Sequence, residues 1–570
     1  MGIYSVLVKR KLSKDSCFDY IAGQKLEKGQ LIKVPFGQSL TQGIVFGKKK
    51  TSDTRRELKS IKKILTPVAI ITDNQFILAG QIAKEYFSSL ADAIFSFLPN
   101  ISDKYLSDLK ATAKTWQKSQ LKVKYTFQIC PKSNIIPLIK QTINFSGQYL
   151  IIVPEIIQAN QYYNSLRNTY RNNLTLYNSQ IPQAQKIKTF NKLLSGKNQI
   201  VIATRPGNFL PFTNLRHIMM ISPDNFAYQE DQFPRANARK VAMMLSKIHS
   251  AKLTFFDSAI SLSAFIGYKK KQLSVAEDSR RKENITALNT KNIFDPGLGQ
   301  KIKGFLRVGK NVLIAGSWSL NDQFYCVDCK DKIECSICKS DKFISSSQTC
   351  AECNTKADLI CSKCKGRNVI ESSKNLSAVY SRLKDEFSQF KISLVTKNNK
   401  IEPSTLTLAT LNSILRIEKK IDLIIFESFD NLFESPFFDQ RIKLFKLIRQ
   451  FNDFEYEQMV IISKNLDDPV VCAIIQNDWR KFYSQEIKER LNSSFPPATK
   501  LIKITEVKRD SRDAQTVTEI TKFAQKNIEL ENNYLLFFNH NQIEKNHEEI
   551  KKLLNRLNNA KFYVDPIDIN

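Results

Sequence analysis

Eight of the eleven cysteines in this chain fall between Cys326 and Cys364, and no other stretch restricts the fold so tightly. They form four CxxC pairs: Cys326/Cys329, Cys335/Cys338, Cys350/Cys353 and Cys361/Cys364. Two intervening residues let both thiolates turn onto one metal ion, and two such pairs complete the four-sulfur shell that zinc prefers. Four pairs therefore predict two zinc ions. Disulfides would need an oxidising compartment, and the opening MGIYSVLVKRKLSKD lacks the apolar core of an export signal. An iron–sulfur centre would crowd several cysteines into a single run, which is absent. The histidines are His217, His249, His540 and His547, all outside the cluster. A catalytic zinc keeps one position open for water, usually with His or a carboxylate among its ligands, so this spacing predicts structural zinc.

The charge balance narrows the partners. There are 86 Lys and Arg against 55 Asp and Glu, a formal net charge of +31. Such an excess points to a polyanion, most simply nucleic acid; a proteome rich in Lys and Asn is the competing explanation. The longest apolar runs, such as YLIIVPEII, fall well short of the roughly 20 residues that span a bilayer. No membrane association is expected, and the chain is expected to be cytoplasmic.

A chain of 570 residues has room for several domains. Residues 1–105 open with the strand-like IYSVLVKR and three glycine-punctuated β segments, CFDYIAG, GQLIKVPFG and QGIVFG, before helical spacing takes over. A small β-barrel or sheet capped by a helix is expected. Phe18-Asp19-Tyr20 sets a carboxylate between two aromatic rings, suited to stacking a base and accepting from a ribose hydroxyl. Packing of Phe18 and Tyr20 into the core of one strand face is the alternative. Residues 106–124 are polar and Lys-rich and read as a linker. Apolar runs at YLIIVPEI, NQIVIAT, LRHIMMIS and KLTFFDSA make residues 125–270 an α/β section with buried parallel strands. A charged connection over 268–290 leads to a second α/β section, 271–325 and 366–480, into which the cysteine module at 326–365 is inserted. Residues 481–570 read as alternating helices and strands, a small α+β domain.

Several of these segments, in this order, resemble the PriA family of replication-restart helicases. CFDY followed by KVPFG is similar to the opening of that family's N-terminal domain; LIIVPEI, TRPGNFLPFTNL, YQEDQFPRANARKVA, the four CxxC pairs, SPFFDQRIKLFKLIRQ, QEIKERLNSSFPPATKL and VDPIDI follow in register. The resemblance implies a multidomain α/β chain with two RecA-like helicase lobes. It implies that Phe18, Asp19, Tyr20 and Gly37 line a pocket for the 3′ end of a nascent strand. It also implies nested metal pairing: Cys326, Cys329, Cys361 and Cys364 on one zinc, Cys335, Cys338, Cys350 and Cys353 on the other. Implied partners are branched DNA at stalled forks, primosome or helicase-loading proteins, and single-strand binding protein. Arg205, Arg235 and Arg239 lie in matched motifs, where they contact phosphates or pair with Glu230 and Asp231.

The departures from the family pattern concern the motor. A phosphate-binding loop needs glycines so that backbone amides can approach, plus a Lys and a Ser/Thr. At that position stand Phe127-Gln128-Ile129-Cys130-Pro131-Lys132-Ser133, where Lys132 and Ser133 are a remnant without any glycine. The family's DEEH tetrad falls on Ile221-Ser222-Pro223-Asp224, with Asp224 expected to cap a helix. SATP has become Ser258-Ala259-Ile260-Ser261, NRRG Gly316-Ser317-Trp318-Ser319 and GTQM Ala409-Thr410-Leu411-Asn412. The two arginines of QVAGRAGR fall on Phe454 and Glu457. Phosphoryl transfer rests on positioning and electrostatic stabilisation, so these losses predict a member with degenerate motifs, no catalytic residues and no ATP cofactor. Most of the family's winged helix is expected to be reduced or absent between Pro99 and Val153. An active 3′–5′ helicase with divergent motifs is one rival reading; a non-catalytic zinc scaffold or RNA-binding protein is the other.

Overall fold

A computed structural model describes residues 2–9, 17–52, 57–98, 101–110, 123–144, 146–277, 284–290, 292–318, 323–344, 349–356, 358–371, 376–396, 405–417, 420–427, 429–430, 438–454, 456–508, 511–530 and 532–566. Ser319, Glu455 and residues 111–122 of the expected linker lie outside the described residues.

Five antiparallel strands open the chain: β1 (Gly2–Val8), β2 (Cys17–Ala22), β3 (Leu31–Phe36), β4 (Ser39–Lys49) and β5 (Lys63–Ile64), in the order β2-β1-β4-β3-β5. Tyr4, Val6, Val8, Tyr20, Ile32, Val34 and Val45 fill one face, as the two-residue period of a half-buried sheet requires. The edge strand β2 also bonds to the segment entering β5, through Ile21 N–H to Lys59 O (3.1 Å) and Ile61 N–H to Ile21 O (3.0 Å). The helical run that follows is two helices, Asp73–Glu85 and Leu90–Phe95. Phe87 turns the chain with φ 54°, and Ser89 starts the second helix in a capping box with Asp92.

Seven parallel strands come next: β6 (Tyr125–Ile129), β7 (Gln148–Ile152), β8 (Leu174–Tyr177), β9 (Gln199–Ala203), β10 (Leu215–Ile221), β11 (Lys252–Asp257) and β12 (Leu273–Glu277). Their order is β12-β6-β11-β10-β7-β9-β8. Strands β7 and β9 are buried at every residue, so they read as unbroken apolar runs. A second parallel sheet takes β13 (Ile285–Leu288) and β14 (Val312–Gly316) before the cysteine module. The module holds β15 (Phe324–Cys326), β16 (Phe343–Ile344), β17 (Thr349–Cys350) and β18 (Val369–Glu371). After it come β19 (Ile392–Val395), β20 (Leu406–Thr410), β21 (Leu423–Glu427) and β22 (Gln458–Ile462), giving the order β13-β22-β21-β14-β20-β19.

The stretch expected as a charged connection thus supplies an edge strand to each parallel sheet, β12 to the first and β13 to the second. In the C-terminal region β23 (Thr499–Thr505), β24 (Lys526–Leu530), β25 (Asn533–Asn539) and β26 (Lys561–Val564) form an antiparallel sheet. Here a β24-β25 pair and two successive helices, His540–Lys545 and His547–Leu554, replace the simple alternation that was expected. The chain divides into two compact units, Met1–Ser279 with Tyr483–Asn570, and Arg280–Phe482. At the start of the expected linker, Lys110 N–H is tied to Asn191 Oδ1 (3.0 Å). Among the described residues no helix is long and apolar enough to cross a membrane.

Candidate metal centres and nucleic-acid interface

Each CxxC pair builds the same turn. The amide of the first cysteine bonds to the carbonyl five residues on, Cys326 to Asp331, Cys335 to Ser340, Cys350 to Thr355 and Cys361 to Gly366, at 2.8–3.0 Å. Its own carbonyl accepts from Lys330, Lys339, Asn354 or Lys365 at 2.9–3.0 Å, and those four residues all have left-handed backbone, φ 56–63°. The turn aims the next amide at the second sulfur: Asp331 at Cys329, Ser340 at Cys338, Thr355 at Cys353 and Gly366 at Cys364.

The four turns bring the sulfurs together as Cys326, Cys329, Cys361 and Cys364, and as Cys335, Cys338, Cys350 and Cys353, each set within 4.8 Å. This is the nested grouping that the resemblance implies. Closest separations are 3.4 Å for Cys326–Cys364 and Cys329–Cys361, 3.6 Å for Cys335–Cys353 and 3.5 Å for Cys338–Cys350. A disulfide needs about 2.05 Å. A tetrahedron with metal–sulfur bonds of about 2.3 Å has edges of about 3.8 Å. The thiols also need a cation. Cys353 is pulled down to about 6 by the Thr355 hydroxyl and then its amide, and Cys361 to about 7, chiefly by the Cys364 amide. Cys338 and Cys364 are pushed up to about 12: the amides of Ser340 and Gly366 act in the opposite sense, and the neighbouring sulfurs of Cys350 and Cys326 outweigh them. Thiols this crowded ionise together only around a positive charge, and a metal ion supplies it. Both clusters therefore fit a metal ion. Gly366 is part of the fit, because a Cβ there would lie 3.2 Å from Cys364 Sγ and 2.7 Å from Asp328 Oδ2.

In the N-terminal sheet, strand alternation separates the residues expected to share a pocket. Tyr20 is buried in the core and its hydroxyl donates to Pro35 O (3.1 Å), while half-buried Phe18 meets Phe36 edge-on with ring centroids 5.1 Å apart. Asp19 points to the other face, where its 9% exposed side chain accepts from Lys49 Nζ (3.1 Å) and Ser52 Oγ (2.7 Å). Gly37, at φ 61°, ends β3, and its carbonyl accepts from Lys59 Nζ (3.4 Å). Lys49 lies in the Lys run at 48–50, which the sequence offers as a solvated face or a contact for DNA phosphates, while sequence reasoning missed Ser52 and Lys59.

At the nucleotide-loop position β6 runs into a helix, Lys132–Thr142, with exposed Lys132 and Ser133 in its first turn. Three positions offer no free amide: Cys130 N–H bonds to Asp257 O (3.0 Å), Pro131 has none, and Asn134 N–H bonds to Pro131 O (3.1 Å). Where the family's acidic tetrad falls, Ile221 is buried in the core and Ser222, at φ 48°, donates its amide to Phe256 O (2.7 Å). Asp224 does not cap a helix. It pairs with Arg239, and Asn225 caps the turn that follows. Arg205 pairs with Glu230 (3.6 Å), whereas Arg235 lies over Tyr563 (5.4 Å to the ring centroid) and Phe233 (5.9 Å). Phe454 sits against Phe451, and Glu457 pairs with Lys310 (2.6 Å). A buried pair escaped the sequence altogether. The Glu427 carboxyl, pushed up to about 7 by burial, accepts from the Trp318 indole and the Ile293 amide.

Residues 5–99 match a PriA family model described as a 3′ DNA-binding domain. The replication restart protein PriA of Helicobacter pylori is 22% identical over 540 residues, covering 88% of this chain and 86% of its own. The protein of the same name from Borreliella burgdorferi is 24% identical over 516 residues, covering 79% of this chain and 77% of its own. Among solved structures, RecG bound to a three-way DNA junction is similar at 12% identity, over 73% of this chain and 52% of that one, with a TM-score of 0.34. The N-terminal match and the span of these relatives make the chain similar, over most of its length, to the replication restart proteins called PriA.

Proposed function

We propose that this protein recognises branched DNA with a nascent 3′ end at a stalled fork and takes part in primosome assembly and DNA replication in the cytoplasm, without hydrolysing ATP. The amide accounting at Cys130, Pro131 and Asn134 carries the reading of the motor, because a phosphate cradle is built from such donors. Buried Ile221 and the pairing of Glu457 with Lys310 support it, since neither offers a metal carboxylate or an arginine finger. The two four-cysteine clusters hold Zn²⁺, the metal best suited to closed tetrahedral thiolate sites. The zinc module and a closed N-terminal barrel then serve as docking and DNA-reading parts, with helicase-loading proteins and single-strand binding protein as partners. At the N-terminal site Asp19 exchanges the Ser52 hydroxyl for that of the 3′ terminus. Phe18 and Gly37 border it, and Tyr20 supports the strand from the core.

Two measurements test the proposal. Fork DNA is expected to produce no ATP turnover above background, with Lys132→Ala indistinguishable from the parent; turnover abolished by that substitution overturns the motor reading. A fork with a free 3′ hydroxyl is expected to bind more tightly than one ending in a 3′ phosphate, with affinity falling steeply as salt rises. Equal affinity for the two forks removes the 3′-end site.

A further inference from the structure

The four-fold repeat of one turn allows the two metal centres to be compared position by position. The residue whose amide reaches the second sulfur is Asp331 or Gly366 in the outer centre, and Ser340 or Thr355 in the inner one. Thr355 contributes twice, because its Oγ1 also lies 3.2 Å from Cys353 Sγ. The outer centre has a carboxylate instead, with Asp328 Oδ2 3.9 Å from Cys326 Sγ. Asp331 nearby is paired with Lys363 (3.1 Å), but Asp328 forms no ion pair among the described residues. Access is matched, since each centre exposes one cysteine, Cys364 outside and Cys338 inside. Chemistry, not access, then separates them.

A hydroxyl donor draws charge from a metal-bound thiolate and makes it a weaker nucleophile. A carboxylate beside a four-thiolate zinc centre, which already carries excess negative charge, does the opposite. We propose that Thr355 and Asp328 make the two centres inequivalent, so that the outer one, Cys326/Cys329/Cys361/Cys364, is labile and surrenders its metal first to a thiol-directed electrophile. The inner centre persists and holds the tip of the module folded. The inference rests on the reading of both clusters as zinc centres.

The test uses the full-length metal-loaded protein and N-ethylmaleimide, a neutral reagent. The sulfur adds to the maleimide double bond, the zinc–sulfur bond breaks, and water supplies the proton to the adjacent carbon. Metal content is measured first by mass spectrometry, then zinc release with a chelating dye and labelled peptides in parallel. Two zinc ions per chain should leave in two phases, with the outer cysteines labelled about tenfold faster, the low end for an outer-sphere hydrogen bond. Thr355→Val should bring the inner rate up to the outer one, Thr355→Ser should restore the gap, and Asp328→Asn should slow the outer phase. Equal rates, or inner labelling first, with two zinc ions in place overturns the inference. Fewer than two zinc ions at the outset defeats the zinc reading itself.

Discussion

At the scale of single residues, the carboxylate of Asp513 shows how much one side chain can hold. It accepts the amides of Asn558, Asn559 and Ala560, each at 2.9 Å, and so fixes the turn that leads into β26. Burial opposes its charge, yet the three donors outweigh burial and hold its pKa below the ordinary carboxylate range. Hydrogen bonds to a charged group contribute about 1.5–3 kcal/mol each, so Asp513→Ala is expected to cost at least about 3 kcal/mol in chemical denaturation. Asp513→Asn should also destabilise, because its amide nitrogen turns a donor toward at least one of the three N–H groups. Nothing in the local sequence announces this residue, because its partners lie far along the chain. Trp318 and Glu427 are hidden for a related reason: they meet only because Gly316 of β14 is the register partner of Glu427 in β21. The cysteines, by contrast, were fully legible, since a metal demands its ligands at short fixed spacing. Asp19 falls between these cases. Its residue type was readable, but strand alternation sends its carboxylate away from the flanking rings.

At the scale of elements, legibility follows burial. Strands covered on both faces, such as β7 and β9, announce themselves as apolar runs. The edge strands β12 and β13 do not, because only part of each is covered and charged residues surround them. The cysteine module is the extreme case of an element without a core of its own. Beyond its cysteines, only Ile333 and Phe343 among the described residues are fully buried in its hydrophobic cluster. A structural zinc can supply on the order of 10 kcal/mol of folding free energy, so on the proposed reading metal keeps the module folded. Removing it with a strong chelator should abolish amide protection across residues 323–371, while β14, β20 and β21 keep theirs in hydrogen-exchange mass spectrometry. Protection that survives complete metal loss would show that the turns stand alone.

At the scale of the whole molecule, buried titratable groups in the two units predict opposite responses to acid. His217 and His249, both in the first unit, are buried and pulled down to about 4 by desolvation, with Lys252 adding to the effect at His217. The unfolded chain takes up those protons below about 6.5, whereas the folded unit refuses them until about 4. The first unit therefore loses stability as pH falls through that window, by about 3 kcal/mol per histidine at most. Glu427, in the second unit, runs the other way. Its folded value is raised to about 7 against 4.5, so its contribution is complete below about 4.5 and is lost as pH rises through about 7. Hydrogen exchange at pH 7 and pH 5 should show protection falling in the first parallel sheet and holding or rising in the second, and Glu427→Gln should remove the second response. The second unit also contains a detour, the cysteine module. Phe324 faces Glu371 and Cys326 faces Val369 across the antiparallel pair of β15 and β18, so the two ends of the module lie about 5 Å apart. To the host the detour is a closed parenthesis. It can lengthen, shrink or be grafted elsewhere without rerouting a single strand, and selection can reshape what the cysteines present while the frame beneath them stays as it is.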